Sequence, residues 1–148
     1  MIYRTANIDD VQQMFEVRMS VKENVLVNTD LVTDELCIEY LTNRGKGFVC
    51  AINNHLVGFG IADLIDDNIW ALFVRPEFEG IGIGRKLHDA MLNWYFKQGK
   101  EKVWLSTSPN TRAEKFYRKA GWQDVWRNPN GEIRFEMTAG LWQNRPKE

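Results

Sequence analysis

Val74-Arg75-Pro76-Glu77-Phe78-Glu79-Gly80-Ile81-Gly82-Ile83-Gly84-Arg85 joins an apolar run on one side to a helical period on the other. Upstream, Ile69 to Val74 is almost continuously apolar, which suits a strand covered on both faces, and Pro76 stops it. Downstream, Leu87, Met91, Trp94 and Tyr95 form a helical face that Gly99 closes. Three glycines at alternate positions between a strand and a helix leave backbone amides unobstructed at the helix N-terminus. Those amides lack intrahelical partners, and the helix dipole adds about half a positive charge there. Phosphate binding is the physical expectation, and Arg85 and Lys86 add side-chain charge at the same end. Two familiar phosphate motifs fit badly: both G-x-G-x-x-G and G-x-x-x-x-G-K-[ST] want a glycine where the chain has Arg85. A turn that only lets the helix pack on its strand is the plain alternative. One glycine would suffice for that, and here there are three.

Outward from the loop, the period stays mixed. Toward the N-terminus, Phe48–Ile52 and Leu56–Leu64 flank Asn53-Asn54 and read as an antiparallel hairpin. Ile2 to Arg4 starts a short strand, and Asp9 and Asp10 open a helix carried by Val11, Met14, Phe15, Arg18 and Met19. Asn24 to Asp30 is ambiguous, and Leu36, Tyr40 and Leu41 give a second helical face ending near Gly45. Toward the C-terminus, Val103–Thr107 is a strand and Pro109-Asn110 a turn. Thr111-x-x-Glu114 is then a capping-box pattern for a short helix with the face Ala113, Phe116, Tyr117 and Ala120, ended by Gly121. Trp122–Arg127 and Ile133–Thr138 read as closing strands around Asn128-Pro129-Asn130-Gly131. This order implies a mixed α/β sheet.

The 148 residues, 44% hydrophobic and 26% charged, suit one soluble domain over 1–148 rather than a disordered tail, a collagen-like repeat or a disulfide miniprotein. A net charge of −1 argues against a nucleic-acid partner. No apolar run approaches the ~18 residues of a membrane span, and Met1–Thr5 lacks the start of a signal peptide, so the cytoplasm is the expected location. Cys37 and Cys50 have no C-x-x-C spacing, and His55 and His88 are isolated, so no metal site is expected.

With Val74-x-Pro76 ahead of Glu79-Gly80-Ile81-Gly82-Ile83-Gly84, the chain resembles the GNAT superfamily of acetyl-coenzyme A-dependent N-acetyltransferases, whose signature is Q/R-x-x-G-x-G/A. A second block, Asn110-x-Arg112-Ala113-x-x-x-Tyr117-x-x-x-Gly121-Trp122, is similar to the family's N-x-R-A-x-x-x-Y-x-x-x-G-F segment. The resemblance covers Phe48 to Trp122. The departure is Glu79, an acid where the family usually has Gln or Arg, and its side chain cannot aid pyrophosphate binding.

The resemblance implies a mostly antiparallel sheet flanked by helices, with splayed central parallel strands, here Ile69–Val74 and Val103–Thr107. Coenzyme A would lie along Leu72, Phe73 and Val74, pairing with strand backbone, and the Leu72 N–H would polarise the thioester carbonyl. Its pyrophosphate would meet the loop from Glu79 and Gly80 through Gly82, Ile83, Gly84 and Arg85. Asn110 would contact the coenzyme or simply serve the turn. Tyr117 would act as general acid, or stabilise the leaving thiolate mainly by hydrogen bonding, because a phenol near 10 is a weaker acid than a thiol near 8.5. A base for the amine is left open among Asp63, Asp66, Asp67, Glu23 and water; some relatives carry a Glu at the position of Asn68. Trp70, in step with Leu72 and Val74, faces either the core or the acceptor, and Trp126 and Trp142 cover a substrate groove or a dimer contact. The implied activity is acetyl transfer to a primary amine of a small molecule or peptide. A homodimer is a family-level expectation, and a non-catalytic coenzyme-binding module is the alternative.

Overall fold

Asn7 begins the first helical segment through a reciprocal cap: its side chain accepts the Asp9 amide, and the Asp10 carboxylate accepts the Asn7 amide, both at 2.9 Å. In the computed structural model this cap joins strand β1 (Ile2–Thr5) to helix α1 (Val11–Ser20). The structure describes residues 1–21 and 33–146 and divides into two units, Met1–Trp94 and Tyr95–Glu148. The ambiguous Asn24–Asp30 stretch and Glu23 lie outside the described residues.

In the first unit, helix α2 (Asp34–Glu39) is capped by Thr33 Oγ1, which accepts the Leu36 amide at 3.1 Å. It runs on into a π turn, Tyr40–Arg44. Strands β2 (Gly45–Ile52), β3 (His55–Asp63) and β4 (Asn68–Val74) follow, and all neighbours in the order β1-β2-β3-β4 are antiparallel. Asn53 and Asn54 both take left-handed backbone (φ 51° and 66°), the two-residue turn whose twist matches a tight hairpin.

The two faces of this sheet carry separate cores. Val11, Met14 and Val17 of α1, with Cys37 and Tyr40, bury Val49, Leu56, Phe59, Ile61 and Ala71. On the other side Cys50 and Val57 meet Ile83 and Leu87 of α3 (Ile83–Lys97), which begins in this unit. Gly58 and Gly60 make that approach possible: a Cβ at Gly58 would stand 3.1 Å from Leu87 Cδ1, and one at Gly60 2.6 Å from Met91 Cε.

One bulge changes what β4 presents. Ile61 lies opposite Ala71 but Ala62 opposite Ile69, so Trp70 is an extra residue. Period-2 counting puts Trp70 in step with Leu72 and Val74. The structure instead packs Trp70 with Phe73 against the α1–α2 core, while Leu72 and Val74 pack on the α3 side.

In the second unit, β5 (Lys102–Thr107), β7 (Ile133–Thr138) and β6 (Gln123–Arg127) form an antiparallel sheet in that order. Helix α4 (Arg112–Lys119) lies between β5 and β6 in the chain, and a five-residue helix, α5 (Ala139–Gln143), follows β7, capped by Thr138 Oγ1. Trp142 is buried, which removes it as a groove cover or dimer contact; Trp126 is 62% exposed on β6. Among the described residues no helix is long and apolar enough to cross a membrane.

Candidate active site

The glycine loop has the backbone that its sequence implies. Gly80 and Gly82 sit at φ +80° and +94°, where L side chains are strained. A Cβ at either would meet nothing within 4 Å. Glycine is thus required here by backbone conformation and not by packing, and the space in front of it is open. Ile83 is 1% exposed in the core beneath the loop and anchors it. The Lys86 amide donates to the Gly82 carbonyl at 3.1 Å, which starts α3 at the loop.

The first turn of α3 contains no acid and carries Arg85 and Lys86, the reverse of what a helix dipole favours. By contrast α2 starts with Asp34 and Glu35, and α4 has Glu114 in its first turn. A cationic start is tolerated where an anion completes it. Arg85 Nε also donates to Asp89 Oδ1 at 3.2 Å, which orients the guanidinium. Glu79 ends the short turn Pro76–Phe78, its amide donating to the Pro76 carbonyl at 3.3 Å, so it stands at the head of the loop.

The strand before the loop offers a second set of amides. The Arg75 amide donates to the Val57 carbonyl at 2.8 Å. Bonded pairs alternate along an antiparallel ladder. With Phe73 opposite Phe59 and Leu72 opposite Gly60, Phe73 bonds β3, whereas Leu72 and Val74 direct their N–H and C=O groups away from it. Within this unit β4 is the last strand of its sheet.

In the second unit, the Asn110–Trp122 block is mainly a device for fixing Tyr117. Thr111 Oγ1 accepts the Glu114 amide at 3.2 Å, and Glu114 Oε1 accepts the amide of Asn110 at 2.7 Å, one residue earlier than a standard capping box. Asn110 is exposed at φ 63°. At the other end Gly121 (φ +97°) allows a Schellman closure, in which the Trp122 amide reaches the Tyr117 carbonyl at 3.0 Å and the Gly121 amide the Arg118 carbonyl at 3.1 Å. The Trp122 ring meets Tyr117 edge-on at 5.5 Å, and Phe135 lies 6.2 Å away. Burial pushes the Tyr117 phenol well above its ordinary value, which favours hydrogen-bond donation over full proton transfer.

The carboxylates weighed as bases have different fates. Asp63 is fully buried and held by Arg44 at 3.2 and 2.9 Å and by the amides of Ile65 and Asp66 at 2.9 and 3.3 Å. Its role is to hold the β3–β4 turn. Asp66, 61% exposed at its side chain, accepts Arg44 at 2.8 Å, and Asp67 takes a left-handed turn position at φ 58°. Asn68 opens β4 opposite Asp63.

Sequence reasoning missed a cavity of about 220 Å³ in the first unit. Met14, Phe15, Arg18, Phe59, Trp70 and Phe73 line it, with Thr33, Asp34 and Cys37 on the α2 side. Its Trp70 wall is braced: Trp70 stacks on Tyr40 at 3.8 Å and 8°, and the Arg44 guanidinium lies 4.5 Å over Tyr40. Arg18 lies over the Phe73 ring at 4.4 Å, and burial lowers its pKa from the ordinary value, though an arginine stays protonated. The available signal was a cation within the apolar spacing of α1.

The glycine loop thus opens a helix beside a strand whose Leu72 and Val74 backbone groups face away from β3. Residues 10–122 match the acetyltransferase (GNAT) family, and the chain belongs to that family. It is 25% identical over 75 residues to the [ribosomal protein bS18]-alanine N-acetyltransferase of Haemophilus influenzae, 49% of this chain and 51% of that protein. The chain thus spans about half the length of the curated relative it matches. The fold is shared with a PaiA N-acetyltransferase of Thermoplasma acidophilum in complex with coenzyme A (TM-score 0.81, 15% identity, 93% of this chain and 98% of that one). It is also shared with the ribosomal-protein-S18-alanine N-acetyltransferase of Escherichia coli (TM-score 0.74, 15% identity, 93% and 92%).

Proposed function

We propose that the protein is an acetyl-CoA-dependent N-acetyltransferase that acts on a primary amine of a small molecule or peptide by direct attack in a ternary complex. The loop carries this reading: two left-handed glycines with open space before them, leading into a helix whose first turn is cationic. Acetyl-CoA supplies the activated acetyl group. Amides of Gly82, Gly84 and Arg85, with Gly80 or Ile81, hold the pyrophosphate, while Leu72 and Val74 offer backbone to the pantetheine arm. The Leu72 N–H donates to the carbonyl oxygen as charge builds there. The amine nitrogen bonds the acyl carbon as the C–S bond breaks; nitrogen gives up a proton to water, and Tyr117 donates a hydrogen bond to the departing sulfur. A reducing compartment such as the cytoplasm suits two buried free thiols, Cys37 and Cys50.

Relatives named as ribosomal-protein-S18-alanine N-acetyltransferases make a peptide or protein amine one acceptor to test. The test is a thiol-release assay with acetyl-CoA over a panel of polyamines, amino acids and short peptides, with acetylated product identified by mass spectrometry. Product is expected from at least one class. The non-catalytic reading draws on Glu79 at the head of the loop and on Asn68 at the start of β4; tight acetyl-CoA binding with no product from any class would favour it.

A further inference from the structure

The cavity between α1, α2, β3 and β4 is apolar but not neutral in its charge pattern. Arg18 brings a guanidinium onto the Phe73 ring within it, and Asp34 brings one carboxylate at its exposed rim. We propose that this cavity seats the side chain of an apolar or aromatic α-amino acid, with Arg18 holding the α-carboxylate and Asp34 facing the ammonium group, so that the free amino acid is the acetyl acceptor. The inference rests on the acetyltransferase reading above and names its substrate class.

Three observations converge on it. The first is size. An apolar cavity of about 150 Å³ already takes benzene, so about 220 Å³ walled by Met14, Phe59, Trp70 and Phe73 accommodates a leucine or phenylalanine side chain. The Trp70–Tyr40–Arg44 stack, tied to Asp63 and Asp66, keeps that wall in place before any ligand arrives. The second is charge. Among the described lining residues, one cation and one anion complement a zwitterion, whereas a polyamine would set a like charge against Arg18 and a dicarboxylate a like charge against Asp34. A peptide beginning with the same residue presents an amide carbonyl in place of the carboxylate and loses the charge-assisted, bidentate bond that a guanidinium makes. The third is spacing. Phe73, under Arg18, adjoins Leu72, whose N–H turns away from β3. Neighbouring strand residues are only about 3.3 Å apart. An α-amino acid, whose carboxylate and amine share one carbon, suits a cation lying over one residue and an amide belonging to the next. In the transfer the ammonium first gives one proton to water, the α-nitrogen bonds the acetyl carbon as the C–S bond breaks, and the second proton that the nitrogen sheds is taken up by the departing sulfur.

The experiment is calorimetric titration of the full chain with L-phenylalanine and with L-phenylalaninamide, each with and without coenzyme A. The acid is expected to bind about tenfold or more tightly than the amide, the range of a charge-assisted bond. Arg18→Met should bring the two to within about twofold, and Arg18→Lys should keep part of the preference, with melting curves run to check that both variants fold. The binding readout does not depend on turnover. A protein that prefers the acid but acetylates nothing would sustain the pocket assignment and sink the transferase reading. Equal or tighter binding of the amide, no binding of either at millimolar ligand, or a preference unchanged in Arg18→Met would overturn the assignment.

Discussion

Gly82→Ala separates the coenzyme role of the loop from its role in stability. At φ +94° an L residue is strained by about 1–2 kcal/mol, and the new Cβ touches nothing within 4 Å. The cost is therefore conformational, with no clash to add. For a chain of this length that lowers Tm by about 2–8 °C, small against the ~5–15 kcal/mol of a typical fold. In the complex the new methyl also stands in the open space through which the pyrophosphate would reach the amides, and a displacement costing a further ~1–2 kcal/mol there weakens Kd by about fivefold to thirtyfold. Gly99→Ala is the matched control: φ is +85°, nothing lies within 4 Å, and the site is just past the far end of α3. A 15-residue helix puts it about 22 Å away. Differential scanning calorimetry should show similar Tm losses for the two variants, and titration with acetyl-CoA a weakened Kd only for Gly82→Ala. Equal Kd values in both variants at comparable Tm loss would refute the assignment of the loop.

Tyr117→Phe should lower kcat by about 10²-fold or more and leave acetyl-CoA affinity within twofold, measured by steady-state kinetics and titration. Because burial raises the phenol, the pH profile of kcat should show no loss from its ionisation up to pH 10. Asp10 is held below its usual pKa by the hydrogen bonds from Arg4 at 2.7 and 2.8 Å, against its burial, and by the Asn7 amide. That contribution is present above the unfolded value near 3.9 and is lost as pH falls through the lower folded value. Asp10→Asn should therefore melt earlier than the parent at pH 7 and converge with it toward pH 2. Cys37, pushed up to about 11 by burial and then by Asp34, and Cys50, raised by burial, should resist a thiol reagent at pH 8 until guanidinium unfolds the chain.

Local chemistry was legible wherever one residue type decides the backbone. The glycine loop, the Asn53-Asn54 turn and the Gly121 stop all follow from positive φ, and the Thr111 cap from its hydroxyl. The face of Trp70 was not legible, because alternation assumes one residue per partner and the ladder inserts an extra one. Nor was the cavity, whose walls come from four elements whose mutual packing no periodicity encodes. Arg18 was visible as a cation on an apolar stripe, but only the tertiary fold sets it over Phe73. Asp63 and Asp66 look alike in the chain and both pair with Arg44; burial separates them. Helix α5 has only five residues, one of them Gly140, too short a run to show a helical period.

The coenzyme site is the centre of the account, and calorimetric titration of the purified protein with acetyl-CoA, with ATP and NAD as controls, tests it most directly. Saturable binding of one acetyl-CoA per chain, with ATP and NAD at least tenfold weaker, is the predicted result. No binding at near-millimolar acetyl-CoA, or equal affinity for all three, would contradict it.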